Sequence, residues 1–292
     1  MIAFFRSLRD YFSLVKFSHT VFAMPFALIG FSLAISKPEF HLSIRLLFLV
    51  ILCMVLARNT AMGFNRLADK DFDALNPRTR KREIPSGTIS ARAATVFVII
   101  NAVLFIVTTG FINRLTMFLS PIALLVILGY SLTKRFTALC HFVLGLGLGL
   151  APVGAYISVT GKFNALPIIY SFIVLSWVSG FDIVYALQDD DFDKSNKLYS
   201  MPSVKGRKKA LAISIFVHLI TLALVLAAGL AGRSGMFFWT GATIFTLLLI
   251  YQHSIVRPDD LSKVTMAFAT TNGIASIIFA CFVILDLIRR VH

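Results

Sequence analysis

Apolar residues in this chain come in long runs separated by short polar connections, and nine of the runs approach the length of a bilayer-spanning helix. They cover 15–35, 44–68, 91–112, 115–133, 137–160, 166–188, 208–230, 236–254 and 264–288. All the connections are short except 69–90 and 189–207. The pattern predicts an all-α integral membrane protein with nine transmembrane helices, built as one membrane-embedded domain over 1–292. The first run is too long for a signal-peptide core and lacks a clear small-residue cleavage site.

Composition supports this and narrows it. The chain is 58% hydrophobic and 14% charged, whereas a soluble domain carries about 25% charged residues. A mean hydropathy of +0.84 excludes a disordered chain. The formal charge of +14, from 28 basic and 14 acidic residues, would suit a nucleic-acid partner if it formed one patch. It does not. Twenty of the 28 basic residues fall in the N-terminal segment and in connections on that side, seven lie on the opposite side, and Arg58 lies inside the second run. By the positive-inside rule the N-terminus and the two long loops are cytoplasmic, in a cytoplasmic (inner) membrane. The charge therefore reads as topology, and no nucleic-acid partner is expected. Cys53, Cys140 and Cys281 sit in apolar runs at unrelated spacings, which predicts buried thiols and no disulfide or metal cluster.

The acids are more informative. Eight of the 14 gather beside the two long loops, as Asp69, Asp71 and Asp73, and as Asp182, Asp189, Asp190, Asp191 and Asp193. The segments Asp69-Lys-Asp-Phe-Asp73 and Asp189-Asp-Asp-Phe-Asp193 match at a separation of 120 residues, and a Pro-Ser pair follows each. The first closes the second run and the second closes the sixth, so both face the same side, as a parallel internal repeat requires. Asn65, Asp69 and Asp73 are four apart and share a helical face, with Arg58 two turns earlier. Asp182, Asp189 and Asp193 repeat the spacing, and Tyr185 joins them. Two facing carboxylate rows repel unless neutralised, and all-oxygen donors suit Mg²⁺, which shares its coordination with water and substrate phosphates. Arg78, Arg80, Lys81 and Arg82 after the first row, and Lys194 and Lys197 after the second, supply cations for a diphosphate.

These motifs resemble the UbiA superfamily of intramembrane prenyltransferases. Asn65-Arg-Leu-Ala-Asp69-Lys-Asp-Phe-Asp73 is similar to that family's N-x-x-x-D-x-x-x-D, and Asp182-Ile-Val-Tyr-Ala-Leu-Gln-Asp189-Asp-Asp-Phe-Asp193 to its D-x-x-Y-A-x-x-D-x-x-x-D. Tyr130-Ser-Leu-Thr-Lys134 matches a Y-x-x-x-K element. The resemblance spans essentially the whole chain. It implies a UbiA-like helix bundle and an Mg²⁺-dependent aromatic polyprenyltransferase. Asn65, Asp69, Asp73, Asp189 and Asp193 are the implied Mg²⁺-diphosphate residues, and the four aspartates with Asp182 form the implied catalytic set. Tyr130 and Lys134 would meet the phosphate, Arg78 and Arg82 would close over the headgroup, and Asp182 would orient the acceptor. Two positions depart from the pattern. Arg66 stands where some members carry Asp, with Asp71 as a replacement, and Val204 stands where an Arg is expected, with Lys205 adjacent.

The implied reaction transfers a polyprenyl group from its diphosphate to a ring carbon of a hydroxylated aromatic acid, 4-hydroxybenzoate or a dihydroxynaphthoate, in ubiquinone or menaquinone biosynthesis. The motifs look most like the hydroxybenzoate and futalosine-pathway menaquinone branches, which they do not separate. Asp182 and Asp189 are both candidates for the ring proton. A transporter is the competing class, but the acids lie at one membrane face and the repeat is parallel. Arg58 and Tyr185 are read as site-lining, since a lipid-facing intramembrane Arg is costly. His19 is open between substrate contact and packing. The Gly145-Leu-Gly-Leu-Gly149 run reads as close helix packing.

Overall fold

A computed structural model describes residues 10–11, 13–15 and 22–291. His19 lies outside the described residues. The order is α1 Met24–Ile35, α2 Ile44–Ala68, α3 Lys70–Leu75, α4 Ala91–Gly110, α5 Arg114–Thr133, α6 Cys140–Thr160 and α7 Ala165–Ala186, followed by α8 Asp190–Ser195, α9 Met201–Lys205, α10 Arg207–Ala231, α11 Met236–Ile255 and α12 Asn272–Val291. No strand occurs among the described residues.

Local sequence explains the helix ends. Ser43, Ser90, Asn113 and Asn164 each place a side-chain oxygen on a first-turn N–H, at 3.3, 3.2, 2.9 and 3.2 Å. Gly161 closes α6 in the left-handed conformation, φ 64°, where a Cβ would be strained. Within the described residues seven helical segments are long and apolar enough to cross a membrane. That is fewer than the nine runs. The helical part of the first run is α1, with 12 residues, and α11 is long enough but falls outside the apolar set. Large apolar side chains such as Phe118, Leu125 and Phe216 are exposed, as lipid-facing helices require.

Helix α6 packs on α7 and α1, α7 on α10, α2 on α4, and α11 on α12, while α12 returns to α1. Phe26, Trp177, Phe181, Phe245 and Phe279 fill the resulting core. The α6 glycines do what their spacing predicts. A Cβ on Gly145 would lie 2.4 Å from Leu175 O of α7, and one on Gly149 2.8 Å from Ser171 O. Of the cysteines, Cys140 is buried and Cys53 partly so, but Cys281 is exposed on α12, contrary to the sequence expectation. All three are free thiols.

The two acidic motifs fold alike. Each follows a long helix that gives way, at Asp69 in the first motif and through a 3-10 turn over Leu187–Asp189 in the second, then restarts as a six-residue helix, α3 or α8. Asp69 and Asp189 occupy the break with nearly the same backbone angles, φ −94°, ψ 5° and φ −112°, ψ 8°. The repeat is thus structural as well as textual. The faces are not unbroken helix as the spacing alone suggests, yet the backbone bonds Asp69 N to Asn65 O (3.0 Å) and Asp73 N to Asp69 O (2.7 Å) carry the four-residue register across the first kink.

Candidate active site

The helix breaks turn both acidic motifs toward one cavity of about 270 Å³. Its lining includes twelve of the expected site residues: Arg58, Asn65, Asp69, Asp73, Arg78, Arg82, Tyr130, Lys134, Asp182, Tyr185, Asp189 and Asp193. A second cavity of about 390 Å³, lined mainly by apolar residues of α2, α5 and α6, shares Arg58, Met62, Tyr130, Leu144 and Leu148 with the first. A charged chamber therefore adjoins a greasy one.

Basic residues balance most of the carboxylates. Arg82 Nη1 meets both oxygens of Asp73 at 2.7 and 2.9 Å. Arg78 grips Asp189 with two nitrogens, Nε at 2.9 Å and Nη2, and its Nη1 donates to the Tyr185 hydroxyl at 3.1 Å. Asn76 adds an amide N–H to Asp189 at 3.1 Å. The loop after the first motif thus binds the second. Lys134 Nζ lies 2.7 Å from Asp193, which is fully buried and also accepts from Ser200 Oγ at 2.8 Å. Burial works against the Lys134 charge, but Asp193 and Asp189 outweigh it and raise its pKa above the ordinary lysine value.

Asp69 differs. Its hydrogen bond comes from the Asn65 amide, at 3.1 Å, and its pKa is pushed up to about 6, first by burial and then by the Asp73 charge. Among the described residues no three acidic, histidine or cysteine side chains form a metal cage. The donors still fit Mg²⁺, which takes one or two carboxylates and completes its shell with phosphate and water oxygens. Asp69, with a carboxylate bound to no cation, and Asn65 beside it form the hard oxygen pair on the first motif.

Several sequence expectations fail at this resolution of detail. Arg80, Lys81, Lys194 and Lys197 are absent from the cavity lining; of the six cations expected after the two rows, only Arg78 and Arg82 reach it. Lys194 pairs with Asp190 at 3.3 Å, and Arg207 holds Asp190 as well, at 2.8 Å. Asp71 and Lys205 are exposed on the outer faces of α3 and α9, so neither replaces a missing site group. Arg66 is 3% exposed, lines the cavity beside Tyr130 and has no hydrogen-bond partner for its Nε.

Sequence reading missed two residues. Asn76 lies in the long 69–90 connection, yet its reach to Asp189 spans 113 positions. His141, 2% exposed, opens α6 and bonds Asp182 Oδ2 through Nδ1 at 2.7 Å. Its Nε2 accepts from the Met201 N–H at 3.1 Å. Tyr185, between Arg78 and Phe268, stacks on the latter ring with centroids 4.0 Å apart.

A bilayer-length helix bundle with opposed acidic helix breaks, basic clamps and an adjoining apolar cavity defines a membrane enzyme for an anionic, lipid-tailed substrate. The chain belongs to the UbiA prenyltransferase family, whose sequence profile matches residues 23–279. It is 32% identical over 225 residues to a 4-hydroxybenzoate octaprenyltransferase of Vibrio atlanticus, covering 76% of this chain and 78% of that protein. It is 26% identical to the protein of that name from Aromatoleum aromaticum, over 82% of each. The apo structure of a UbiA homologue from Aeropyrum pernix K1 superposes with TM-score 0.83 at 31% identity, covering 92% of this chain and 98% of that one. A UbiA homologue from Archaeoglobus fulgidus, bound to GPP and Mg²⁺, shares the fold at TM-score 0.78 and 21% identity, over 95% and 99% of the two chains.

Proposed function

We propose that this prenyltransferase moves a polyprenyl group from its diphosphate to a ring carbon of 4-hydroxybenzoate or a closely related hydroxylated aromatic acid, as a step of quinone biosynthesis. The observation that carries the reading is the convergence of both acidic motifs, the basic loop and the Tyr130–Lys134 element on one cavity that adjoins an apolar one. The names of the bacterial relatives favour 4-hydroxybenzoate over a dihydroxynaphthoate. The charged side of the bundle is taken as cytoplasmic, on the basis of the positive-inside asymmetry.

In this reading Asn65, Asp69, Asp73, Asp189 and Asp193 would hold Mg²⁺, which would supply charge neutralisation for the departing diphosphate. Arg78, Arg82 and Lys134 now occupy carboxylates and would share them with the diphosphate, adding donors aimed at the leaving group. The prenyl tail lies in the second cavity and extends toward lipid, each buried CH₂ contributing about 0.8 kcal/mol. Phe22, Phe181 and Phe268 line the first cavity and keep water from the allylic cation, with ring faces able to stabilise it. Arg58 and Arg66 also line the cavity, and in this reading they face the acceptor carboxylate. The acceptor attacks ortho to its hydroxyl and then loses the ring proton.

Purified protein incubated with labelled polyprenyl diphosphate, Mg²⁺ and a panel of acceptors tests the proposal. A metal-dependent C-prenylated 4-hydroxybenzoate is expected. No product with any aromatic acid would overturn it.

A further inference from the structure

The prenyl transfer proposed above ends with a proton on a ring carbon and needs a group to take it. Asp182 and Asp189 both border the cavity, but they are not equally free. Asp189 is clamped on both oxygens by Arg78 and on one by Asn76. Asp182 is bound through Oδ2 alone, to a single partner, His141. Its side chain is 22% exposed, so its other oxygen is open to the cavity.

The state of His141 follows from its second bond. The Met201 backbone N–H can only donate, so Nε2 must carry a lone pair. The ring proton is then on Nδ1 and is donated to Asp182. A doubly protonated ring would set N–H against N–H and lose the Met201 bond. Met201 is the first residue of α9, where the N–H has no partner within the helix, so His141 also satisfies an otherwise orphaned donor.

The same turn reaches the other half of the site. Ser200, next to Met201, donates to Asp193, and Tyr199 N donates to Lys134 O at 2.7 Å. The base and the diphosphate-side carboxylate are thus held by three consecutive residues, 199–201. Spacing could not reveal this link, because His141 lies 41 positions from Asp182 and 60 from Met201.

We propose that His141 is a positioning residue that holds Asp182 as the base for the acceptor ring proton. In the step, the allylic C–O bond breaks with its electron pair leaving on the diphosphate, and the ring carbon ortho to the hydroxyl forms the new C–C bond. The C–H bond at that carbon then breaks. Its electron pair restores the aromatic ring, and the proton passes to the free oxygen of Asp182. His141 stays neutral throughout and keeps its N–H on Oδ2. General bases contribute roughly 10²–10⁴-fold, and mispositioning forfeits part of that.

The test uses the full-length protein in detergent, with 4-hydroxybenzoate either unlabelled or deuterated at the ring carbons ortho to the hydroxyl. His141→Asn places an amide N–H where Nδ1 sits, whereas His141→Gln places it near Nε2 and His141→Ala removes it. Expected results are a kcat loss of about tenfold or more in the Ala and Gln variants, with the KM for the prenyl diphosphate within about twofold of wild type. A primary isotope effect absent from wild type should appear in both, and Asn should restore most of the rate. Adding His141→Asn or His141→Gln to Asp182→Asn should cost nothing further. An unchanged isotope effect, equal losses in Asn and Gln, or additive loss in the double variants would overturn the assignment. Should His141→Ala fail to fold, the Asn and Gln comparison still decides. A wild type that is silent with every aromatic acid overturns this inference together with the proposed reaction. An active wild type with ordinary His141 variants overturns this inference alone.

Discussion

Lys134→Met separates the structural and chemical work of one buried ion pair. Asp193 is 0% exposed, its partner Lys134 Nζ is 2.7 Å away, and the lysine side chain is 34% exposed. At that distance and an effective dielectric of about 20, the direct attraction is about 6 kcal/mol, most of it offset by the cost of removing the carboxylate from water. Removing one partner of a buried pair typically costs about 3–5 kcal/mol, and water around the part-exposed lysine lowers this to about 2–3 kcal/mol. For a chain of this size the melting temperature should fall by about 3–5 °C. Asp193→Asn combined with Lys134→Met removes both charges and keeps a carbonyl oxygen for Ser200 Oγ, so most of that loss should return. Prenyl transfer should not return, because both proposed phosphate-side groups are gone. Thermal unfolding in one detergent, with wild type, both single variants and the double variant, reads the cycle. A double variant as unstable as Lys134→Met would refute the reasoning, since the cost would then come from lost packing and not from a stranded charge.

Three further outcomes follow from named geometry. Asp69 in the metal-free protein has its pKa raised to about 6, above the usual carboxylate value, so the folded chain holds that proton more tightly than the unfolded one. Its contribution to stability is therefore present below the unfolded value near 4 and is lost as pH rises through about 6. Asp69→Asn should accordingly stabilise the metal-free protein at pH 7.5 but not at pH 4, and Mg²⁺ titrated into wild type at pH 6 should release a proton, detectable in weak buffer. Gly145→Ala should destabilise by about 1–3 kcal/mol because its Cβ would meet Leu175 O at 2.4 Å, while Gly147→Ala, 4.0 Å from its nearest neighbour, should be close to neutral in the same unfolding assay. Arg78→Lys keeps the charge but loses the two-nitrogen grip on Asp189 and the bond to Tyr185, and should raise the KM for prenyl diphosphate more than it lowers kcat.

Much of this was legible because the bilayer imposes a length rule on helices and because acids are scarce in such a chain. The twelve site residues predicted from two spaced motifs and one lysine element all line one cavity. What spacing could not show is how the charges are shared. The sequence suggests that a metal must neutralise the acidic rows, whereas the folded chain already sets Arg82, Arg78 and Lys134 against Asp73, Asp189 and Asp193. Helical periodicity also predicts unbroken faces, and it is the breaks at Asp69 and Asp189 that turn the carboxylates inward. Asp71 and Arg80 illustrate the limit: each sits within a motif or its loop, but the short helix or turn aims it outward. His141 illustrates the converse, a lone polar residue at the start of an apolar run whose partners are supplied by tertiary packing.

The central claim is that the two acidic motifs act together on one Mg²⁺-bound diphosphate. The direct measurement is calorimetric titration of a non-hydrolysable polyprenyl diphosphate analogue into the purified protein, with and without Mg²⁺, for wild type, Asp69→Ala and Asp189→Ala. The account predicts Mg²⁺-dependent binding in wild type and its loss in both variants. Wild-type affinity in either variant, or binding indifferent to Mg²⁺, would contradict it.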